Sequence, residues 1–190
     1  MSEVFNTIKN RRTVGGMNDQ VPPKESIDRM LEAGTWAPNH HLTEPWKFIV
    51  VTGEARDRLS KALKKVAYGR VREPDSESGQ KKIEKIGNRL FLSPVIIFIV
   101  YVPSDNPKAD PLEDRAAVAI TGQNMMLVAE EEGLNTQWLS GPIYNVDLFR
   151  DALGLVGDEE VYGLMPVGYS SINKQGKRTP FEEKTVYLDK

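Results

Sequence analysis

The sequence predicts one mixed domain of helices and strands, on three observations. Its 190 residues fall within the ~100–200 residues usual for a single domain. Helical and strand-like apolar patterns succeed one another from Val4 to Val66 in an order of helices, strand and helix. The run Val95 to Val100 is continuously apolar, as expected of a central strand covered on both faces.

Val4, Phe5 and Ile8 stand at helical spacing and define a first helix. Pro22-Pro23 precede a second, with Ile27, Met30, Leu31 and Ala33 on one side and Gly34 as its stop. Lys47 to Thr52 reads as a strand, and Ala55, Leu59, Ala62, Leu63 and Val66 as a third helix. Tyr68 to Gly79 is polar and turn-rich, which suits a mobile segment able to cover a site. A short helix is expected over Gln80 to Phe91 before the central strand. Asp114 to Glu132 is the longest helical segment, carrying small residues such as Ala117 and Gly122 that permit close packing, and ending at Gly133. A short strand over Thr136 to Ser140, a helix over Val146 to Leu153 and a strand over Val161 to Val167 follow. The tail Ser170 to Lys190 lacks helical periodicity and is expected either to fray or to dock as an added strand, across to a partner in an oligomer.

Composition removes several function classes. With 25 Lys+Arg against 27 Asp+Glu, net charge −2, the chain lacks the basic field that nonspecific nucleic-acid or anionic-membrane binding favours. The start, Met1-Ser2-Glu3, has no basic and apolar leader pattern, so a cytoplasmic location is expected. Val95 to Val102, the longest strongly apolar stretch, is far short of the ~20 residues of a membrane-spanning helix. With no cysteine, disulfides and thiolate chemistry are excluded. The two histidines, His40 and His41, are adjacent; neighbours point apart on either regular element, so metal catalysis is not expected. Gly-x-Gly-x-x-Gly after a strand, a phosphate-binding Walker loop and a nucleophile elbow are all missing.

Three motifs remain. Arg11-Arg12-Thr13 joins two guanidiniums and a hydroxyl at a helix end. They can grip a phosphate by charge-assisted hydrogen bonds or simply complement the helix dipole. Trp36 to Trp46 is a proline-punctuated loop whose tryptophans are expected to anchor it by burial; Asn39 and His40, held between its prolines, are candidates to face a polar ring edge. Trp138-Leu139-Ser140-Gly141 offers an apolar face beside backbone amides and a hydroxyl, a lining for a planar ring. Glu130-Glu131-Glu132 reads as a solvated face, and Lys174, Lys177 and Arg178 as a basic tail or the completion of a phosphate site.

These segments, in this order, resemble the FMN-dependent nitroreductase family and, most closely, its short NAD(P)H nitroreductase members. The carriers are Arg11-Arg12-Thr13, the loop and strand Ala37 to Phe48, and Trp138 to Gly141. The resemblance implies an α+β fold with a central, mainly antiparallel sheet flanked by helices, one FMN-binding domain over 1–190 and an intertwined homodimer with FMN at the subunit interface. It implies that Arg11, Arg12 and Thr13 bind the flavin phosphate and ribityl chain, with Arg178 at the same phosphate. By the same resemblance Asn39 and His40 would approach FMN, His40 from the other subunit, and Trp138, Leu139 and Ser140 would lie against the ring. The implied activity is ping-pong hydride transfer from NADH or NADPH through FMN to nitroaromatics, quinones or a related small-molecule electrophile; no side chain is assigned as catalytic. A flavin-dependent dehydrogenase or dehalogenase on the same fold, and a non-catalytic FMN-binding redox sensor, stay open. The chain departs from the family pattern at Gly15, where many relatives carry a lysine, and at Leu42 and Glu44, where many carry Asn and Gln.

Overall fold

The computed structural model describes residues 2–188. Helix α1, Glu3–Asn10, starts on the hydroxyl of Ser2, which accepts from the Phe5 N–H, and ends at Arg11. Helix α2 is Lys24–Thr35, strand β1 Trp46–Val51, helix α3 Glu54–Tyr68, and helix α4 Glu77–Gly87. Strand β2 is Val95–Tyr101, helix α5 Pro111–Glu131, strand β3 Asn135–Thr136, helix α6 Asp147–Leu153, and strand β4 Glu160–Gly168.

The sheet runs β1-β2-β4-β3, every neighbour antiparallel. Alternation along β2 sends Val95, Ile97, Ile99 and Tyr101 into one core, with Ile27 and Met30 of α2 and Val118 and Met125 of α5. Ile96, Phe98 and Val100 enter the opposite core, with Leu59 and Leu63 of α3 and Phe149 of α6. Every residue of β2 is buried, as its unbroken apolar run requires of a strand packed on both faces. Helix α5 presents Ala117, Thr121, Gly122, Met125 and Ala129 inward at helical spacing, so it reaches the sheet closely along its whole length.

Several expectations shift. Helix α4 begins earlier than Gln80, because the Ser76 hydroxyl caps it by accepting from Gly79 N–H at 3.0 Å; past Gly87 the chain tightens into a 3-10 turn over Asn88–Phe91. The polar segment expected to be a mobile cover is a compact turn. Tyr68 Oη donates to Asp75 at 2.8 Å, Gln80 donates to Pro74 O at 2.8 Å, and a β-carbon on Gly79 would lie 2.2 Å from Glu73 O. Trp36 does not anchor its loop; it is 79% exposed, whereas Trp46 packs on the first core. Glu132 does not belong to a solvated acidic face: Arg29 clasps its carboxylate with two donors, and Ser26 Oγ adds a third hydrogen bond at 2.9 Å. The tail forms no strand within 170–188 but an extended run with one 3-10 turn at Phe181–Lys184; its last two positions, 189 and 190, lie outside the described residues.

Strand β3 is shorter than the strand expected over Thr136 to Ser140. Beyond Thr136 the chain stays extended and bonds β4 at intervals, Gln137 N–H to Pro166 O at 3.3 Å and Leu139 N–H to Leu164 O at 2.9 Å. Between these two bonds the Trp138 indole occupies a notch between α5 and β4. β-Carbons on Gly122 and Gly163 would stand 2.1 and 2.5 Å from its ring. Gly163 faces Ile99 where the β2–β4 register slips, and Tyr162 at that slip meets the indole edge-on at 6.3 Å. Gly122→Ala is expected to displace the indole and destabilise the protein by ~1–3 kcal/mol through overpacking, read as a lower midpoint in urea denaturation followed by tryptophan fluorescence.

Candidate functional site

The Arg11-Arg12-Thr13 segment leaves α1 and is captured by the sheet. Thr13 bridges to Thr136 in parallel register, and Val14 N–H donates to Thr136 O at 3.0 Å. The end of β4 holds the following residues: Asn18 N–H donates to Tyr169 O at 2.9 Å, and Ser170 Oγ donates to Gly15 O at 2.9 Å and Gly16 O at 3.2 Å. Asn135 Oδ1 closes the braid by accepting from Ser170 N–H at 2.8 Å. Three distant stretches, 11–18, 135–139 and 168–178, therefore share one edge of the sheet.

Four cations gather there. Arg12 Nη1 donates to Arg11 O at 2.7 Å, and Lys174 Nζ to Thr13 O at 2.9 Å. The tail backbone lies against the Arg12 guanidinium, so that a β-carbon on Gly176 would meet it at 2.1 Å. Arg178 is near enough to act on Arg11, whose pKa lies below the usual arginine value because of burial first, then the charges of Arg12 and Arg178, with Glu130 partly offsetting them. Among the described residues no carboxylate forms an ion pair with Arg11, Arg12, Lys174 or Arg178. Arg12 Nε is buried without any hydrogen-bond partner, and buried donors are ordinarily satisfied. A charged, underbonded guanidinium beside three further cations fits a phosphate.

Trp138 stands over the glycine notch, Leu139 packs on the second core, and Ser140 is exposed just beyond them. Trp138 and Leu139 thus turn to opposite faces of the sheet, on the same stretch of chain that pairs with Thr13.

Asn39 and His40 lie elsewhere. Asn39 turns its amide inward: Oδ1 accepts from Glu44 N–H at 2.9 Å, and Nδ2 donates to Ala37 O at 3.2 Å. The His40 ring hydrogen-bonds Glu113 at 2.6 Å, and Thr43 Oγ1 donates to Asp114 at 2.6 Å, docking the loop on the start of α5. His41, Leu42 and Glu44 hold positive φ of 58°, 52° and 43°, strained for residues with side chains. That conformation also stacks the His40 and His41 rings at 3.8 Å, unlike neighbours on a regular element. Arg11 reaches α5 near Met126, 13 residues from Glu113, which is about 20 Å along a helix. In one chain the loop and the cation cluster occupy opposite ends of α5.

Two participants escaped sequence reasoning. Ser170 and Gln137 carry no motif; the adjacent pair Gly15-Gly16 was the available signal, since a β-carbon on Gly15 would fall 2.5 Å from Gln137 Nε2. Among the described residues no three metal-ligating side chains cluster, and no helix is long and apolar enough to cross a membrane.

Comparison with known proteins shows the family and the fold. The family model described as the nitroreductase family matches residues 8–169. YfhC of Bacillus subtilis strain 168, provisionally named an NAD(P)H nitroreductase, is 30% identical over 179 residues, covering 93% of this chain and 90% of that protein. A solved nitroreductase-like family protein from Bacillus cereus superposes with a TM-score of 0.83 at 31% identity, over 100% of this chain and 98% of the other. The FMN-dependent nitroreductase NfnB from Mycobacterium smegmatis, solved with NADPH, shares the fold at 21% identity and a TM-score of 0.75, with 97% of each chain covered. From the braided sheet edge to these matches along nearly its whole length, the chain belongs to the nitroreductase family.

Proposed function

We propose that the protein is a homodimeric FMN-dependent oxidoreductase that takes hydride from NADH or NADPH and reduces nitroaromatics, quinones or a related small electrophile. The observation that carries this reading is the buried, unpartnered Arg12 Nε within a cluster of cations that form no close ion pair among the described residues. Arg11, Arg12 and Thr13, with Lys174 and Arg178, hold the phosphate end. The Trp138 side chain and the backbone of Leu139 and Ser140 lie beside the ring. FMN held by these residues would supply two-electron hydride chemistry between the nicotinamide and the acceptor.

The chain's own part is binding and alignment. The arginines neutralise the phosphate and fix its position by forked hydrogen bonds; the Trp138 surface keeps water from one face of the site. Neither task needs a nucleophile or a proton relay. YfhC and NfnB, through the activity in their names, support the same reading.

Exposed apolar surface supports the dimer. Helix α1 buries none of its residues although Val4, Phe5 and Ile8 lie on one side, and the tail leaves Tyr187 and Leu188 exposed at 78% and 91%. Apolar segments of this kind mark interfaces. A symmetric partner brings its own loop, with Asn39 and His40, toward the cation cluster from which they are separated within one chain, so each site draws on both subunits.

Three measurements test these points. Purified protein reconstituted with FMN should show flavin absorption bands that bleach on anaerobic addition of NADH or NADPH; bands that persist would leave FMN as a sensor's ligand, and failure to bind FMN would refute the proposal. Arg11→Ala and Arg12→Ala should each weaken FMN binding by ~1.5–3 kcal/mol through loss of a charged hydrogen bond, seen in flavin-fluorescence titration. Truncation after Thr179 should convert the dimer to a monomer by light scattering, and a truncated protein that remains dimeric would rule out exchange of the tail.

A further inference from the structure

We propose that Gln137 is a positioning residue for the flavin ring, its carboxamide hydrogen-bonding the ring edge and favouring the reduced state. The inference rests on the FMN reading above and deepens it.

The extended stretch after β3 leaves Gln137 little choice of direction. Thr136 is buried and paired with Thr13 and Val167, and Trp138 is seated between Gly122 and Gly163. Gln137 lies between them and projects over Gly15. A β-carbon on Gly15 would meet Gln137 Nε2 at 2.5 Å and Cδ at 3.3 Å, so the carboxamide occupies the space where a side chain at position 15 would begin. Gly15 is not required by backbone conformation: of the pair, Gly16 alone has positive φ, 65°. What glycine provides at position 15 is room for Gln137.

The carboxamide is also uncommitted. Within the described residues Gln137 donates its backbone N–H to Pro166 O, while its side chain joins none of the hydrogen bonds that knit the surrounding braid. Its neighbours Asn135 and Ser170 are both engaged. A half-buried amide with two donors and an acceptor free, one residue past the Thr136 that pairs with Thr13 and next to Trp138 on the extended stretch, is set to meet a planar ligand bearing both kinds of group. The edge of a flavin ring does so. A neutral donor binds that edge more strongly once the ring has gained electrons, because charge-assisted hydrogen bonds are the stronger ones.

The test compares wild-type protein, reconstituted with FMN, with Gln137→Met, Gly15→Ala and the double variant. Methionine keeps the length and packing of glutamine without its polar atoms, and Gly15→Ala displaces the carboxamide while leaving it in place chemically. Flavin midpoint potentials come from reduction against a reference dye, and dissociation constants from flavin fluorescence. Gln137→Met should weaken binding of reduced FMN about tenfold more than of oxidised FMN, lowering the two-electron potential by about 30 mV. Gly15→Ala should do the same, and the double variant should be no worse than either single one. A wild-type potential and dissociation constant in Gln137→Met overturns the inference while the FMN reading stands; strictly additive effects overturn it too. Wild-type protein that binds no FMN overturns both.

Discussion

Strand β4 is the member on which the remaining architecture depends. It pairs with β2 across the centre of the sheet, with β3 and through Leu164 with Leu139. Its Gly163 admits the Trp138 indole, and Tyr169 and Ser170, just past its end, hold residues 15–18. A strand whose residues from Val161 onward are buried, but for Tyr162, cannot shift register without moving its apolar side chains to the wrong face. That rigidity passes to the site: the arginine segment is attached to the sheet through Thr136 rather than left as a loop.

The electrostatics of the cluster are local. A net charge of −2 conceals an edge where Arg11, Arg12, Lys174 and Arg178 converge without carboxylate partners among the described residues, while elsewhere the chain pairs its charges readily, as in Arg29 with Glu132, Lys47 with Glu159 and Arg115 with Glu160. Burial and, after it, mutual repulsion depress the Arg11 pKa and disfavour this arrangement. Like charges assembled at such a cost are relieved by a bound anion, and the proposed FMN phosphate is an anion of matching geometry for two guanidinium forks.

Helix α5 separates the remaining motif from this cluster. The loop with Asn39 and His40 is strapped to its first turn through Glu113 and Asp114, whereas Arg11 lies near Met126 in its later turns. The strain at His41, Leu42 and Glu44 persists because those hydrogen bonds and the Asn39 amide hold the loop's shape. In the proposed dimer, twofold symmetry turns the separation into proximity, and the exposed faces of α1 and the tail become the contact.

Local patterns in the sequence determined much of this protein. The 3.6-residue spacing of Leu59, Leu63 and Val66 gave α3, and the unbroken run from Val95 gave a central strand, because burial on one or two faces must be written into residue order. The Arg-Arg-Thr and Trp-Leu-Ser segments stood out as a candidate polar grip and a candidate apolar lining because charge and aromatic content survive without knowledge of neighbours. Tertiary structure alone decided which of them meet. Nothing in the sequence neighbourhood of Trp36 told that it is exposed while Trp46 is covered, or that Glu132 pairs with Arg29, since both depend on helices packed across long sequence separations. The placement of Gln137 was likewise hidden: an uncharged amide carries no signal until the pairing of Thr13 with Thr136 lays Gly15 beneath it. Periodicity encodes what a residue faces within its own element, but the identity of the group it faces is set by the register between elements, which only the folded sheet supplies.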